Sequence, residues 1–317
     1  MRKALVIGID YYKNADCLHG CVNDAQAVAN LLAQHENGVK NFDVKTILNK
    51  SKKSFTSKAD IFTSIHELFE CSGGTVLLYF SGHGGSNQNY GFLAPSEYDD
   101  ITDGIGMDLI LSLANGSKAE NKIIILDCCH AGKFGTLTMF NNTAMLNEGV
   151  TILSACTASE SAMEIGGSGL FTHLLIDALS GSAADLIGQI SPSGIYAHID
   201  QSLSAWEQRP VFKTNVKKFI SLRSVEPSIS IPELKNITNL FSTSSYKFQL
   251  DKSYEETMPN AKKENIAKFK LLQKMFKVNL VRPIGEEYMY YAAINSKKCK
   301  LTALGVHYWN LVNKKRI

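Results

Sequence analysis

The sequence has no uninterrupted apolar run near the roughly 18 residues that a membrane-spanning helix requires, so we expect no membrane span and no membrane partner. The apolar run in "MRKALVIGIDYY" stops at Asp10 without a small-residue cleavage site, which favours a buried first strand over a secretion signal. The seven cysteines are odd in number and scattered, which argues against a disulfide framework. Together these absences predict a reduced chain in the cytoplasm.

The charge of the chain changes sign along its length. Residues 1–225 contain 17 Lys and Arg against 22 Asp and Glu, a net charge of −5, whereas residues 226–317 contain 16 against 8, a net charge of +8. The change coincides with the passage "SVEPSISIPELKN", whose Pro and Ser residues are typical of a domain boundary. We therefore predict two domains, residues 1–225 and 226–317.

The first part of the sequence alternates between two patterns. Continuous Val/Ile/Leu runs predict strands, which are "KALVIGI", "FDVKTIL", "TVLLYF", "KIIIL" and "GVTILSA". Segments with helical periodicity lie between them, such as "NDAQAVANLLAQH" and "SKADIFTSIHELFE". Such alternation predicts an α/β fold with a mostly parallel sheet flanked by helices, in which sites form beyond the carboxyl ends of the strands.

Two strands of this sheet are followed by residues with catalytic chemistry, "SGHGG" and "DCCHAG". Strand side chains alternate between faces, which places Cys129 with Asp127 and places Cys128 on the apolar side. A thiol needs a nearby base to act as a thiolate nucleophile, and His83 on the neighbouring strand can face Cys129. His130 is adjacent to Cys129 in sequence, but successive side chains at a strand end point apart.

The glycines around His83 fit the same chemistry, since the backbone N–H groups of Gly84 and Cys129 could stabilise an oxyanion. Each residue taken singly also fits an ordinary packing role. A disulfide between adjacent cysteines would be strained. A zinc site is disfavoured, because "CCH" and "CLHGC" lack the second paired cluster of a structural site.

Several motifs in order resemble the caspase-like cysteine peptidases of clan CD (C14), and the metacaspase and prokaryotic caspase-like branch most of all. These are "YFSGHGG" and "LDCCHAG", with 46 positions from His83 to Cys129, and the segments "ALVIGIDYY", "GCVNDA", "ILSACTASESAMEI", "GGSGLFTHLLIDAL" and "QRPVF". The likeness covers about residues 1–220. It implies a cysteine endopeptidase with Cys129 as the nucleophile and His83 as the catalytic histidine.

The same resemblance implies a pocket for the residue before the scissile bond, formed by Cys21, Asp24, Ser81 and Asp127. Two carboxylates in a cleft favour Arg or Lys, so we expect cleavage of protein substrates after these residues. For Asp127 a cap on the next turn is the alternative interpretation. Caspases that cleave after aspartate carry "QACRG", which this sequence lacks.

The family resemblance further implies that no cofactor is required. The acidic stretch "EYDD" (Glu97, Asp99, Asp100) could bind calcium as in some metacaspases, but we favour a solvated turn. After the active-site motif, Lys133 is the only basic residue of a short segment, so we expect one uncut chain or a cut near Lys133. Relatives of this type act as regulated effectors in defence or cell death, which implies an activating partner or an upstream protease.

The basic C-terminal part has a helix pattern, "ENIAKFKLLQKMFK", then an alternating strand pattern within "EYMYYAAINSKKCK", then a terminal helix pattern. This order predicts a small winged-helix-like α+β domain, and its charge would suit nucleic acid. We favour a regulatory or partner-docking role, and we expect its aromatic residues to form its core: Tyr288, Tyr290, Tyr291, Tyr308 and Trp309. The competing hypothesis for the whole chain is an inert caspase-like fold that acts through nucleic-acid or partner binding by this domain.

Overall fold

The computed structural model describes residues 1–86, 91–99, 104–128, 145–155, 164–165, 168–203, 209–216 and 218–317. Cys129, His130, Lys133 and Asp100 lie outside the described residues. The chain divides into two compact units, the first made of Met1–Asp185 and Gln189–Val225 and the second of Leu186–Gly188 and Glu226–Ile317. None of the helices in the described part of the chain is both long enough and apolar enough to span a bilayer.

A six-stranded sheet forms the centre of the first unit. Its strands are β1 (Arg2–Ile9), β2 (Asp43–Asn49), β3 (Thr75–Ser81), β7 (Asn121–Asp127), β8 (Val150–Ser154) and β12 (Val211–Asn215). They are arranged in the order β12-β8-β7-β3-β1-β2, and every neighbouring pair is parallel except β8 and β12. The α/β fold with a mainly parallel sheet is therefore confirmed.

Helices cover both faces of this sheet. They are α1 (Cys21–Ala33), α2 (Lys58–Phe69), α3 (Met107–Gly116), α4 (Leu170–Asp177) and α5 (Pro192–Ser202). Short antiparallel strands complete the unit: β4 (Gly84–Ser86), β5 (Gly91–Leu93), β6 (Ile105–Gly106), β9 (Glu164–Ile165), β10 (Ser168–Gly169), β11 (Gln189–Ile190) and β13 (Arg223–Ser224). Each of these strands has only two or three residues, which is too short to show a periodic pattern in the sequence.

The alternation of strand side chains builds two hydrophobic cores, one on each face of the sheet. Ile124, Leu126 and Cys128 belong to the core on the α2–α3 side, and Cys128 is buried there. Ile123 and Ile125 belong to the core on the α1–α4–α5 side. This arrangement confirms that Cys128 packs as a small apolar side chain and that it faces away from the side on which Asp127 lies.

Residues 213–223 are rich in Lys and Arg and precede the predicted domain boundary, a composition that would suit cleavage after a basic residue. Lys213 lies within β12, opposite Ile152 of β8. The guanidinium group of Arg223 is buried and donates hydrogen bonds to the carbonyl oxygens of Gln34 and Leu179. Both ends of the passage are therefore held in folded structure, which is a poor substrate for a protease.

The second unit contains the helices α6 (Ile231–Lys235), α7 (Ile237–Leu240), α8 (Lys263–Lys277), α9 (Met289–Ile294) and α10 (Ala303–Asn313). Its strands are β14 (Lys247–Gln249), β15 (Val281–Pro283) and β16 (Lys298–Leu301), which form an antiparallel sheet in the order β14-β16-β15. The winged-helix assignment of this unit stays a prediction.

Two sequence-based expectations for the second unit were correct only in part: the end of "EYMYYAAINSKKCK" enters the alternating strand β16, and Tyr308 is buried in the core of this unit. The segment that begins "MYYAAI" is the helix α9 and not an alternating strand. Tyr288, Tyr290 and Tyr291 are exposed to 51%, 39% and 50%, so they lie on the surface and not in the core. The opposite side of α9 is buried and carries Met289 and Ala292. The helical period of 3.6 residues explains why these side chains are buried while the neighbouring tyrosines are exposed.

Candidate active site

The polar residues that follow the central strands meet at one edge of the sheet. Ser81, at the end of β3, lies opposite Gly8 of β1 and opposite Asp127 of β7. In the strand order, β1 and β3 are neighbours whose connections leave in opposite directions, so a crevice opens beyond their carboxyl ends. Asp10 follows β1 and His83 follows β3, and both therefore lie at this crevice.

His83 is held from two directions. Its Nε2 lies 2.8 Å from the backbone carbonyl oxygen of Asp16. A carbonyl oxygen can only accept, so Nε2 carries a proton in this contact, and in the neutral imidazole the lone pair is then on Nδ1. The backbone N–H of His83 donates to the hydroxyl of Tyr12 at 2.7 Å, and the two rings lie 4.5 Å apart. The imidazole is thus fixed in one tautomer, with Nδ1 available as a base.

The chain that follows His83 turns into an antiparallel ribbon. Gly84 begins β4 and lies opposite Leu93 of β5, and the carbonyl oxygen of His83 accepts from the Ala94 amide at 3.0 Å. These contacts fix the backbone on which a Gly84 oxyanion donor was predicted. The other predicted donor, the amide of Cys129, lies outside the described residues, so that role stays a prediction.

Helix α1 brings two further predicted residues to the same edge. A methyl group on Gly8 would lie 2.5 Å from the carbonyl oxygen of Cys21, so only glycine lets the start of α1 approach β1 this closely. The Asp10 carboxylate accepts from the Val22 amide at 3.3 Å at the start of α1. Cys21 and Asp24 therefore occupy the buried first turn of α1 beside the ends of β1 and β3.

The electrostatics of Cys21 show that the predicted pocket residues lie together. The pKa of the Cys21 thiol is raised to about 12, first by burial and also by the charges of Asp10, Asp127 and Asp24, while a hydrogen bond with Ser81 acts in the opposite direction. The thiol of Cys21 is consequently protonated at neutral pH and is no nucleophile. Its surroundings carry a concentrated negative charge.

Gly169 joins the two predicted carboxylates. Its backbone N–H donates to Oδ2 of Asp24 at 3.0 Å. A methyl group on Gly169 would lie 2.3 Å from Oδ2 of Asp127, so the glycine backbone is also in direct contact with the second carboxylate. Asp24 and Asp127 are 3% and 5% exposed. Two buried carboxylates from different elements are therefore held against a single residue of β10.

Two successive hydroxyl groups, those of Tyr79 and Thr172, orient Asp127. Thr172 of α4 donates from Oγ1 to Oδ2 of Asp127 at 2.7 Å. Because that bond uses the only hydroxyl proton of Thr172, the Tyr79 hydroxyl must donate to Oγ1 across their 2.6 Å contact. Thr172 and Tyr79 are fully buried, and burial raises the pKa of Tyr79 well above its usual range. These two hydrogen bonds fix the position of Oδ2 of Asp127 and thereby orient the carboxylate group.

The structure brings together all four predicted pocket residues and places His83 beyond the adjoining strand end, while Cys129 lies outside the described residues. Residues that the sequence analysis did not single out complete the arrangement: Asp10, Tyr12, Asp16, Tyr79, Gly169 and Thr172. Most of them lie in segments already noted, "GIDYY" and "GGSGLFT". Strand parity could have placed Tyr79 on the face of Ser81, but no sequence pattern identifies which helix covers that face.

The acidic stretch considered for calcium has another role at its first residue. Oε1 of Glu97 accepts from the Lys58 amide at 2.7 Å, at the first turn of α2. Asp99 is exposed, and Asp100 lies outside the described residues. Among the described residues, no group of three or more His, Cys, Asp or Glu side chains is arranged to hold a metal ion.

A family model described as "Caspase domain" (Peptidase_C14) matches residues 1–220. Metacaspase-1 of Eremothecium gossypii is 28% identical over 147 residues, which are 41% of this chain and 32% of that protein. Metacaspase-7 of Arabidopsis thaliana is 30% identical over 145 residues, which are 41% of this chain and 35% of that protein. The chain thus spans about a third of the length of these curated relatives.

Among solved structures, the crystal structure of protein GSU0716 from Geobacter sulfurreducens superposes with a TM-score of 0.52 at 18% sequence identity. The match covers 71% of this chain and 97% of that chain. At this identity the likeness shows the fold alone.

Proposed function

This chain belongs to the caspase-domain (C14) peptidase family, and from that premise we propose that it is a cysteine endopeptidase that cleaves protein substrates after Arg or Lys. The observation that carries the specificity is the contact of Gly169 with both Asp24 and Asp127. Residues 1–225 would form the peptidase domain, and residues 226–317 a regulatory or adaptor domain. Its use as a regulated effector stays a prediction.

In the proposed reaction Cys129 is the nucleophile and His83 the base. Nδ1 of His83 takes the thiol proton, and the sulfur attacks the scissile carbonyl carbon. The tetrahedral oxyanion is stabilised by backbone N–H groups, for which we propose those of Gly84 and Cys129. The histidine then gives its proton to the leaving amine. Water, deprotonated by the same nitrogen, hydrolyses the thioester and regenerates the thiol.

The register of the strands supports this pairing. His83 follows Ser81 by two residues, and Cys129 follows Asp127 by two residues, while Ser81 and Asp127 lie directly opposite each other. Neighbouring strands lie about 4.8 Å apart, and two residues extend at most about 7 Å. The residues two positions before His83 and Cys129 are therefore neighbours at the same edge of the sheet, which supports the proposed pairing.

The pocket we propose for the basic side chain is formed by Asp24 and Asp127 with Cys21 and Ser81. The two carboxylates accept from a backbone amide and from a hydroxyl. Together with the Asp10 carboxylate beside Cys21 they place three acidic side chains around one point, which favours a cationic substrate side chain. An Arg or Lys side chain that replaces water here gains charge-assisted hydrogen bonds with both carboxylates, whereas an acidic side chain would be repelled.

Hydrolysis of fluorogenic peptides by the full chain tests the proposal. Peptides ending in Arg or Lys before the reporter should be cleaved, and matched peptides ending in Asp or Ala should not. Cys129→Ala and His83→Ala should each lower kcat/KM by at least about 1,000-fold, because both groups act in the same step.

Cys128→Ala is the matched control, since it removes the adjacent thiol from the apolar core. It should cost some stability and keep the activity. An inactive Cys128→Ala beside an active Cys129→Ala would refute the nucleophile assignment. Equal cleavage after Asp and Arg would refute the pocket while leaving the peptidase chemistry in place.

A further inference from the structure

Hydrogen bonds from three directions hold His83 in the described part of the chain. Its carbonyl oxygen accepts from the amide of Ala94 at 3.0 Å, and its ring nitrogen Nε2 lies 2.8 Å from the carbonyl oxygen of Asp16. The third bond runs from the backbone N–H of His83 to the hydroxyl of Tyr12, at 2.7 Å. Backbone groups supply the first two partners, whereas a side chain supplies the third. A substitution can therefore remove the third bond and keep the other two partners.

Tyr12 is itself held firmly by its surroundings. Its side chain is 2% exposed and belongs to the hydrophobic core on the α2–α3 side of the sheet. The amide of the preceding residue, Tyr11, donates to the carbonyl oxygen of Asn49 at 3.0 Å. The amide of the following residue, Lys13, donates to the carbonyl oxygen of Ser96 at 2.8 Å. Because the ring is packed at core density and the backbone is bonded on both sides, the hydroxyl is a fixed point for His83.

The hydroxyl of Tyr12 is in direct contact with the peptide unit that precedes the histidine. Burial raises the pKa of Tyr12 well above its usual range, so the hydroxyl stays protonated and accepts the N–H of His83 through a lone pair. A methyl group on Gly82 would lie 2.7 Å from Oη of Tyr12. Glycine immediately before the histidine therefore allows the backbone to approach the hydroxyl this closely.

The ring of Tyr12 makes a second contact, with the imidazole itself. The two ring centroids lie 4.5 Å apart, and the ring planes are inclined by 52°. An aromatic ring at this distance limits the rotation of the imidazole about its side-chain bonds. Phenylalanine at position 12 would keep this ring contact and the core packing, and it would lose the hydrogen bond alone. The role of the hydroxyl can therefore be separated from that of the ring.

We propose that Tyr12 is a positioning residue for the peptidase reaction: its hydroxyl fixes the peptide before His83, so that Nδ1 is held in the orientation in which it takes the thiol proton. The inference rests on the proposed function, because that function makes His83 the base. Tyr12 acts through His83 and transfers no proton itself. A displacement of about 1 Å at a reacting group can cost about 100-fold in rate, so a single backbone anchor can control turnover.

Kinetics of the full chain on an Arg peptide provide the first test. Tyr12→Phe should lower kcat by about 10- to 100-fold. KM should stay within about twofold of the wild type, because Gly169 and Thr172, and not Tyr12, contact the pocket carboxylates. Tm should fall by no more than about 4 °C, the effect of one lost hydrogen bond. Tyr11→Phe removes a hydroxyl from the neighbouring half-buried tyrosine and should keep the wild-type kcat.

A second variant tests the same contact from its other side. Gly82→Ala places a methyl group 2.7 Å from Oη of Tyr12, so it should lower kcat although Tyr12 is unchanged. The double variant Tyr12→Phe/Gly82→Ala lacks the oxygen that the methyl group meets. It should therefore lose no more activity than Gly82→Ala alone, because the two substitutions disturb one contact. Multiplied losses in the double variant would show that the two residues act independently and would overturn the inference.

A measurement without substrate separates this inference from the proposed function. In protein labelled with ¹³C-histidine, relaxation of the His83 ring should give an order parameter near about 0.85 in the wild type, which falls toward about 0.6 in Tyr12→Phe and is unchanged in Tyr11→Phe. A wild type that cleaves no peptide but shows this pattern would refute the peptidase proposal and support the hold of Tyr12 on His83. An unchanged ring order parameter, a wild-type kcat in Tyr12→Phe, or a rise in KM alone would overturn the inference.

Discussion

Replacing Thr172 by valine tests the hydroxyl chain that supports Asp127. Valine has nearly the shape of threonine, so the substitution removes the hydroxyl without opening a cavity. Asp127 loses a donor at 2.7 Å, and the Tyr79 hydroxyl loses its acceptor. A hydrogen bond to a charged group contributes about 1.5–3 kcal/mol, and a buried group left without its partner costs about 1–3 kcal/mol. Because these two contributions belong to one hydrogen-bond network and overlap, we expect the free energy of unfolding to fall by about 3 kcal/mol in total.

For a domain of this size such a loss lowers Tm by about 6–12 °C, which differential scanning fluorimetry would detect. Activity gives an independent measurement. An Asp127 carboxylate that has lost this donor should bind a substrate Arg less well, so KM should rise more than kcat falls. Thr172→Ser is the matched control, because it keeps both hydrogen bonds and loses only one buried methyl group. It should lower the free energy of unfolding by about 1 kcal/mol and keep the wild-type KM.

A double-mutant cycle with Tyr79→Phe separates the network from simple packing. Tyr79→Phe removes the hydroxyl that Thr172→Val leaves without an acceptor, so the double variant should be less destabilised than the sum of the single variants by about 1–2 kcal/mol. Urea unfolding of the four proteins measures this difference. Strict additivity, or a Thr172→Val protein that melts with the wild type, would refute the reasoning.

Two further predictions follow from the same edge of the sheet. Gly169→Ala places a methyl group 2.3 Å from Oδ2 of Asp127, so it should abolish cleavage after Arg, whereas Gly116→Ala, which meets nothing within 4 Å, should be silent in the same peptide assay. Burial raises the pKa of Asp10, and a raised pKa in the folded state means that stability is lost as pH rises through it. Asp10→Asn should therefore melt higher than the wild type at pH 7, with a gain that shrinks as the pH is lowered toward about 4; a gain that is constant over this range would contradict the assignment.

The strands and helices of the first unit could be predicted because they follow from the local periodicity of apolar residues. Continuous apolar runs and 3.6-residue stripes are properties of short segments, and they predicted the parallel sheet. Parity along "KIIILDCC" placed Cys128 in the apolar core without reference to any other segment. The same reasoning failed for "EYMYYAAI", because the six residues of α9 within it are too few to distinguish a strand period of 2 from a helical period of 3.6. This short helix buries only one of its sides.

The sequence by itself determined which residues belong to the carboxyl ends of the central strands: His83 follows β3, Asp127 ends β7, and the two cysteines come next in the sequence. Only the tertiary structure decided what surrounds them. Gly169 reaches Asp24 across 145 positions of sequence, and Thr172 reaches Tyr79 across 93. The pairing that sets Lys247 and Arg282 on either side of Lys300 likewise depends on strand register. Contacts of this kind depend on how elements pack, because no local periodicity encodes which distant segment will cover a given face.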